Sequence, residues 1–98
     1  MTIPIYTSGR PLMITGQLSG RSVNGMTELV TLFNIDGTDV QLSEIRSSGT
    51  SVGYDQGNIN IWMQAPMSAG EHTVKMRYRV SAGETLTAKA RRLLVFEE

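Results

Sequence analysis

The sequence predicts an all-β chain, an antiparallel β-sandwich with no significant helix, and three observations carry that prediction. Residues 71–80 alternate without interruption, His72, Val74, Met76, Tyr78 and Val80 against Thr73, Lys75, Arg77 and Arg79, which is the period of two of a half-buried strand. A helix would scatter the three cations around its axis instead of lining them on one side. Ten glycines punctuate short runs rich in Val, Ile and Thr, and no stretch repeats apolar residues three and four apart. Roughly six to eight short strands joined by Gly-rich turns follow.

A chain of 98 residues, 40% hydrophobic and 18% charged, suits one core and one domain, and it is not the composition of a disordered segment. There is no cysteine, so neither disulfides nor thiolate metal sites hold the fold. The longest uninterrupted apolar run, 93–96, is far short of the roughly twenty residues of a membrane helix. No membrane partner is expected. Residues 1–10 lack a basic patch followed by an apolar stretch and are not read as a secretory signal. The expected setting is a product made and kept in the cytoplasm, or part of something assembled there.

In chain order, Ile3 and Ile5 flank Pro4, which cannot donate to a ladder, so residues 1–10 are expected to form an N-terminal arm or edge strand. Residues 11–98 are expected to form the single sandwich domain. Leu12, Ile14, Gly16 and Leu18 share a face opposite Met13, Thr15 and Gln17, and the glycines of 20–25 mark a turn. Residues 28–35 are apolar on both faces, as in a central strand, and stop at Asp36-Gly37, a hairpin turn into the alternating run 39–45. Residues 46–57, rich in Gly and Ser with Val52 and Tyr54 isolated, read as a long functional or mobile loop.

In 58–65, Ile59, Ile61, Met63 and Ala65 alternate with Asn58, Asn60, Trp62 and Gln64. The reading places Trp62 on the polar, outer face. There it is a sugar-stacking platform or a subunit hot spot, set against the alternative of a Trp folded under a neighbouring loop. Gly83 within 81–84 suggests that 71–80 and the run from Thr85 form a hairpin. The parity of Leu86, Ala88 and Ala90 differs from that of Arg91, Leu93 and Val95, so a bulge is expected near Ala90.

Charge is balanced but uneven. Arg10, Arg21 and Arg46 precede Lys75 together with six carboxylates, whereas six cations and three carboxylates follow from Lys75 on. Lys75, Arg77 and Arg79 therefore project from one face at about 7 Å intervals, in water or against acidic partners. Nucleic acid is not the expected partner, because no aromatic residue interleaves them. Catalytic chemistry is missing from the pattern. The single histidine, His72, keeps register with Val74 and Met76 and reads as a packed residue instead of a ligand. No nucleophile elbow, phosphate loop or complete calcium loop is present. Neither a cofactor nor a metal is expected, and no enzyme.

Ala69-Gly70-Glu71-His72-Thr73-Val74, continuing through Arg79-Val80, Gly83, Arg91, Leu93, Val95 and Glu97, resembles the C-terminal half of a tumour-necrosis-factor-like jelly-roll module. Such modules are found in bacteriophage virion proteins and related bacterial surface proteins. Residues 33–38 resemble the strand and turn before the module's long loop, and Met67 stands where the module usually has Leu. The resemblance covers about half the chain. It implies a jelly-roll-like sandwich, usually a homotrimer, in a virion assembled in the host cytoplasm, with the major capsid protein or another virion protein as partner. Low charge for so small a surface also points to an oligomer. A chain starting at its own Met without a fibre-shaft repeat is expected to be a capsid decoration (cement) protein, with a tail-fibre or baseplate adhesion component as the alternative. A free carbohydrate-binding module using Trp62 and Tyr54 is the reading of another class. The surface residues expected to make contacts are Trp62, Tyr54, Lys75, Arg77 and Arg79.

Overall fold

The computed structural model describes residues 2–21, 26–50, 55–80 and 86–98. Seven strands fill these segments: β1 (Thr2–Thr7), β2 (Leu12–Arg21), β3 (Met26–Ile35), β4 (Thr38–Thr50), β5 (Gln56–Gln64), β6 (Gly70–Val80) and β7 (Thr87–Glu97). They form two antiparallel sheets packed face to face, one of four strands in the order β1-β6-β3-β4 and one of three in the order β5-β2-β7. This is the β-sandwich that the alternation predicts, and no helix occurs among the described residues.

The inner faces meet in a core of Leu12, Ile14, Phe33, Ile35, Val74 and Leu93, with Leu18 and Leu29 forming a smaller cluster. β2 contributes its expected face, Leu12, Ile14, Gly16 and Leu18 all being buried. Gly16 is a packing requirement, since a Cβ there would stand 2.8 Å from the ring of the fully buried Phe33. β3 runs between β6 and β4; its inner residues Leu29, Thr31, Phe33 and Ile35 are buried, and on its outer face Val30 and Asn34 are buried and Leu32 half-buried with no second layer of described residues over them. The β3–β4 hairpin turns at Asp36 and Gly37, whose φ angles of 52° and 87° explain why Gly sits second. β1 is an edge strand, paired with β6 of its own chain from Thr2↔Lys75 to Thr7↔Gly70. The register of β2 against β7 shifts between Ser19 and Gly20, opposite Ala90 and Ala88. That is the bulge the change of parity near Ala90 requires.

Two expectations are corrected here. β6 and β7 do not form a hairpin: both edges of β6 are taken, by β1 and β3, and β7 joins β2 in the other sheet. Residues 81–85, which include the turn expected at 81–84, lie outside the described segments. Much of the expected loop 46–57 is strand, because β4 continues to Thr50, pairing Leu29↔Ser47 and Glu28↔Ser48, and β5 begins at Gln56. Ladder bonds come from the backbone, so small polar side chains extend a strand wherever a neighbour supplies the partner groups. Val52 lies outside the described residues.

β4 is interrupted by a blister. Thr31 pairs with Ile45 and Phe33 with Val40, so residues 41–44 of β4 face the single residue Leu32. The Ser43 hydroxyl repairs the gap, accepting from the Phe33 amide at 2.9 Å and donating to the Val40 carbonyl at 2.6 Å. Leu42 at its tip is 86% exposed.

Candidate functional site

The blister determines how β5 faces. Around the blister, backbone carbonyls of the four-stranded sheet accept from side-chain amides of β5, and buried polar groups need such partners. Asn60, fully buried, donates its amide to the carbonyls of Thr31 at 3.0 Å and Ser43 at 2.8 Å, and accepts from the Thr31 hydroxyl at 2.6 Å. The Asn58 amide lies 3.1 Å from the carbonyls of Leu29 and Ile45 and from the Thr31 hydroxyl. Gln56 donates to the Ser47 hydroxyl at 2.8 Å. Every buried side-chain nitrogen and oxygen among the described residues has a partner.

The polar face of β5 is thus the inner one, the reverse of the expectation. Trp62 shares that face: it is partly buried, packs against the core and donates its indole N–H to Gln64 Oε1 at 2.8 Å. It is the Trp folded into the structure, not a platform among exposed amides. Tyr54 lies outside the described residues. Because successive side chains alternate, inward asparagines put Ile59, Ile61 and Met63 outside, 66%, 64% and 49% exposed. β7 adds Leu94 and Phe96 to the same outer face, and β2 adds Met13, Thr15 and Gln17 between them. This apolar outer face of β5-β2-β7 is the principal candidate site, and none of its apolar residues was singled out from the sequence. The available signal was the run 93–96, which is apolar in both parities and so must expose one of them at an edge strand.

Lys75, Arg77 and Arg79 do share the outer face of the four-stranded sheet. The acidic partners of Arg77 and Arg79 are in the same chain. Arg77 donates to both Asp39 oxygens, at 2.9 and 3.1 Å, and Arg79 stands 3.6 Å from Glu28, which Arg46 also approaches at 3.4 Å. The Asp39 carboxyl titrates below its ordinary value because Asn34 and then Arg77 donate to it, with Lys75 adding a weaker attraction. Between the two arginines and Asp39 and Glu44 lies a depression of about 240 Å³ floored by Val30 and Leu32. Its charges answer one another, so the stripe is not a run of free cations.

His72 is satisfied at both nitrogens. Nδ1 is 2.6 Å from Asp36 Oδ2 and Nε2 is 2.7 Å from the Ser68 carbonyl oxygen, and two acceptors are served together only by a doubly protonated ring. The Asp36 contact, and after it Ser68, raises the His72 pKa above its ordinary 6.5, while His72 and the Thr73 amide lower that of Asp36. The pair clamps the β3–β4 turn to the start of β6, and the Ser68 contact ties in the connection before it. Glu97 plays a similar part at the other sheet: its Oε1 accepts from the Ser8 hydroxyl and amide, both at 2.6 Å, and from the Thr7 hydroxyl at 3.1 Å. These are structural roles. Among the described residues no group of His, Asp and Glu is placed to hold a metal ion.

No protein-family model and no curated protein sequence matches the chain. The fold and the outer faces define it as an all-β sandwich with one charged, internally paired face and one apolar face.

Proposed function

We propose that this chain is a structural protein of a bacteriophage virion, a small capsid decoration protein that binds the assembled head and acts by binding, without catalysis. The observation that carries the reading is the apolar outer face of β5-β2-β7. Apolar residues gathered on one sheet face and rimmed by polar ones suit burial in an assembly better than contact with water. The Ala69–Val74 segment and the C-terminal strand pattern, through their resemblance to the virion jelly-roll module, supply the kind of assembly, including the homotrimer usual for that module. A tail-fibre or baseplate component rests on the same resemblance. The carbohydrate-binding reading rests on Trp62 and Tyr54; Trp62 is half-buried with its indole N–H on Gln64, and Tyr54 lies outside the described residues, so the apolar face supports the assembly reading better.

Co-sedimentation with undecorated heads tests the proposal. The chain is expected to pellet with heads lacking it and to remain in the supernatant with fully decorated ones. Failure to bind heads, tails or baseplates while retaining a glycan on an array would overturn it.

A further inference from the structure

The side of the sandwich where β6 and β7 meet is closed at one end and open at the other. β1 pairs with β6 from Gly70 to Lys75, and Glu97 ties β7 to Thr7 and Ser8 beside it. Beyond Lys75 no described strand pairs with β6 on that side, and none pairs with β7 on the edge away from β2. Inward positions are left uncovered there. Tyr78 has the inner parity of Val74 and Met76 but is 54% exposed. Ala88 and Arg91, opposite Gly20 and Leu18 in the register, are exposed as well. A cleft of about 90 Å³ opens between the sheets at this point, lined by Leu18, Met76, Tyr78, Ala88, Arg91 and Arg92.

Its charge is unanswered. No carboxylate lines the cleft. Arg21, Arg46, Arg77 and Arg79 each have an acidic partner, whereas Lys89, Arg91 and Arg92 make no ion pair among the described residues. Three of the six cations that the sequence gathers from Lys75 onward therefore stand unpaired on one edge strand. The register spreads them over both of its faces: Arg91 inward opposite Leu18, Arg92 outward opposite Gln17, and Lys89 as the extra residue of the bulge.

We infer that the free edge of β7 along residues 88–92 takes an acidic, extended segment of another polypeptide, added as a further strand over the cleft. A free edge presents a row of unpaired backbone N–H and C=O groups, which an extended chain answers in series. The cross-strand neighbours of such a chain are Arg91 on the inner face and Arg92 on the outer, so its carboxylates are favoured and its cations opposed. A second β7 is thereby excluded as the occupant, since it would set Lys89, Arg91 and Arg92 against their own kind. An apolar side chain among the carboxylates meets Leu18 and Met76 in the cleft. Nucleic acid would use the cations alone and leave both the ladder and the cleft unfilled. The bulge and the inward arginine deter neutral strands, which makes the edge selective. This inference does not rest on the virion reading, which is carried by the apolar outer face of β5-β2-β7.

Fluorescence anisotropy of the full chain with a labelled peptide of about eight residues, an ordinary strand length, tests the inference. Glutamates flank a central pair of valines in the probe, so that either register turns one valine and several carboxylates inward. Replacing Arg91 and Arg92 together by Gln should weaken binding by at least about tenfold, the scale of a lost close charge pair. Replacing Arg77 and Arg79, which are answered within the chain, should leave it unchanged. The Arg91→Glu, Arg92→Glu pair should transfer binding to the same peptide with lysines in place of glutamates. Both arginines are exposed, and an unchanged far-ultraviolet dichroism spectrum checks that the variants fold. Amide exchange at 88–92 of the wild type should slow in the presence of the peptide, a readout that needs no variant. A glutamate peptide interrupted by proline, which cannot continue a ladder, should bind less well. No binding up to about 1 mM overturns the inference, leaving the cations as protection of an edge. Binding indifferent to Arg91 and Arg92, or matched by the proline peptide or by oligothymidylate, overturns it equally.

Discussion

Thr31 and Asn60, both without exposed surface, hold one another across the sandwich through a 2.6 Å bond from the threonine hydroxyl to the asparagine carbonyl oxygen. Through the same amide, Asn60 answers the carbonyls of Thr31 and Ser43 beside the blister in β4. A polar residue at the centre of the core is thereby stabilising, because both ends of its amide meet buried partners on the facing sheet.

Asn60→Ala should destabilise the fold by about 3 kcal/mol, since two buried carbonyls and a hydroxyl lose their partner. Asn60→Asp keeps the shape but turns an acceptor towards those carbonyls, so it should be worse than Ala at pH 7. Urea unfolding followed by tryptophan fluorescence gives both values. An Ala variant as stable as wild type would mean that β5 is not held by this bond set.

Gly16→Ala should cost about 1–3 kcal/mol by overpacking, because the added methyl meets Met76 Sδ at 2.7 Å and the Phe33 ring at 2.8 Å. The thioether can swing aside; the enclosed ring cannot. Combining Gly16→Ala with Phe33→Leu should therefore cost less than the two single changes added together, a coupling that a double-mutant cycle measures.

The His72–Asp36 clamp gives stability a dependence on pH at both ends. His72 has a raised folded pKa, so its contribution is complete below 6.5 and is lost as pH rises through the folded value. Asp36 has a lowered folded pKa, so its contribution is present above 3.8 and is lost as pH falls through its folded value. The clamp is whole between those pH values. Thermal unfolding from pH 3 to 9 should show a decline on the alkaline side that His72→Gln abolishes. Glu97, lowered from 4.5 by the Ser8 hydroxyl and amide, adds to the acid-side loss, and Glu97→Gln should reduce that part.

Replacing Arg77 and Arg79 by Gln should change the unfolding midpoint far less than Asn60→Ala does, because both pairs stand in solvent where water screens them. Nuclear magnetic resonance titration should find the Asp39 carboxyl moved back towards 3.8, though still lowered by Asn34. An Asp39 titration unchanged by the substitutions would show that the guanidinium does not rest on it.

The sequence by itself determined the class of fold, the face β2 turns inward, the Asp36-Gly37 turn, the bulge near Ala90 and the common face of Lys75, Arg77 and Arg79. Each of these depends on neighbours a few residues away: alternation sets which side chains share a face, and positive φ sets where Gly is needed. Only the tertiary structure decided which face of β5 is inside. Alternation separates Ile59, Ile61 and Met63 from Asn58, Asn60 and Trp62, but it does not say which set meets the core. That depended on what the facing sheet offered, and the carbonyls of Thr31 and Ser43, 29 and 17 residues from Asn60, made the polar side the better fit. The partner of β7 was hidden for a similar reason. A turn signal at 81–84 is the same whether the next strand returns beside β6 or crosses to the other sheet, and the choice fell to β2 because β1 and β3 already hold both edges of β6.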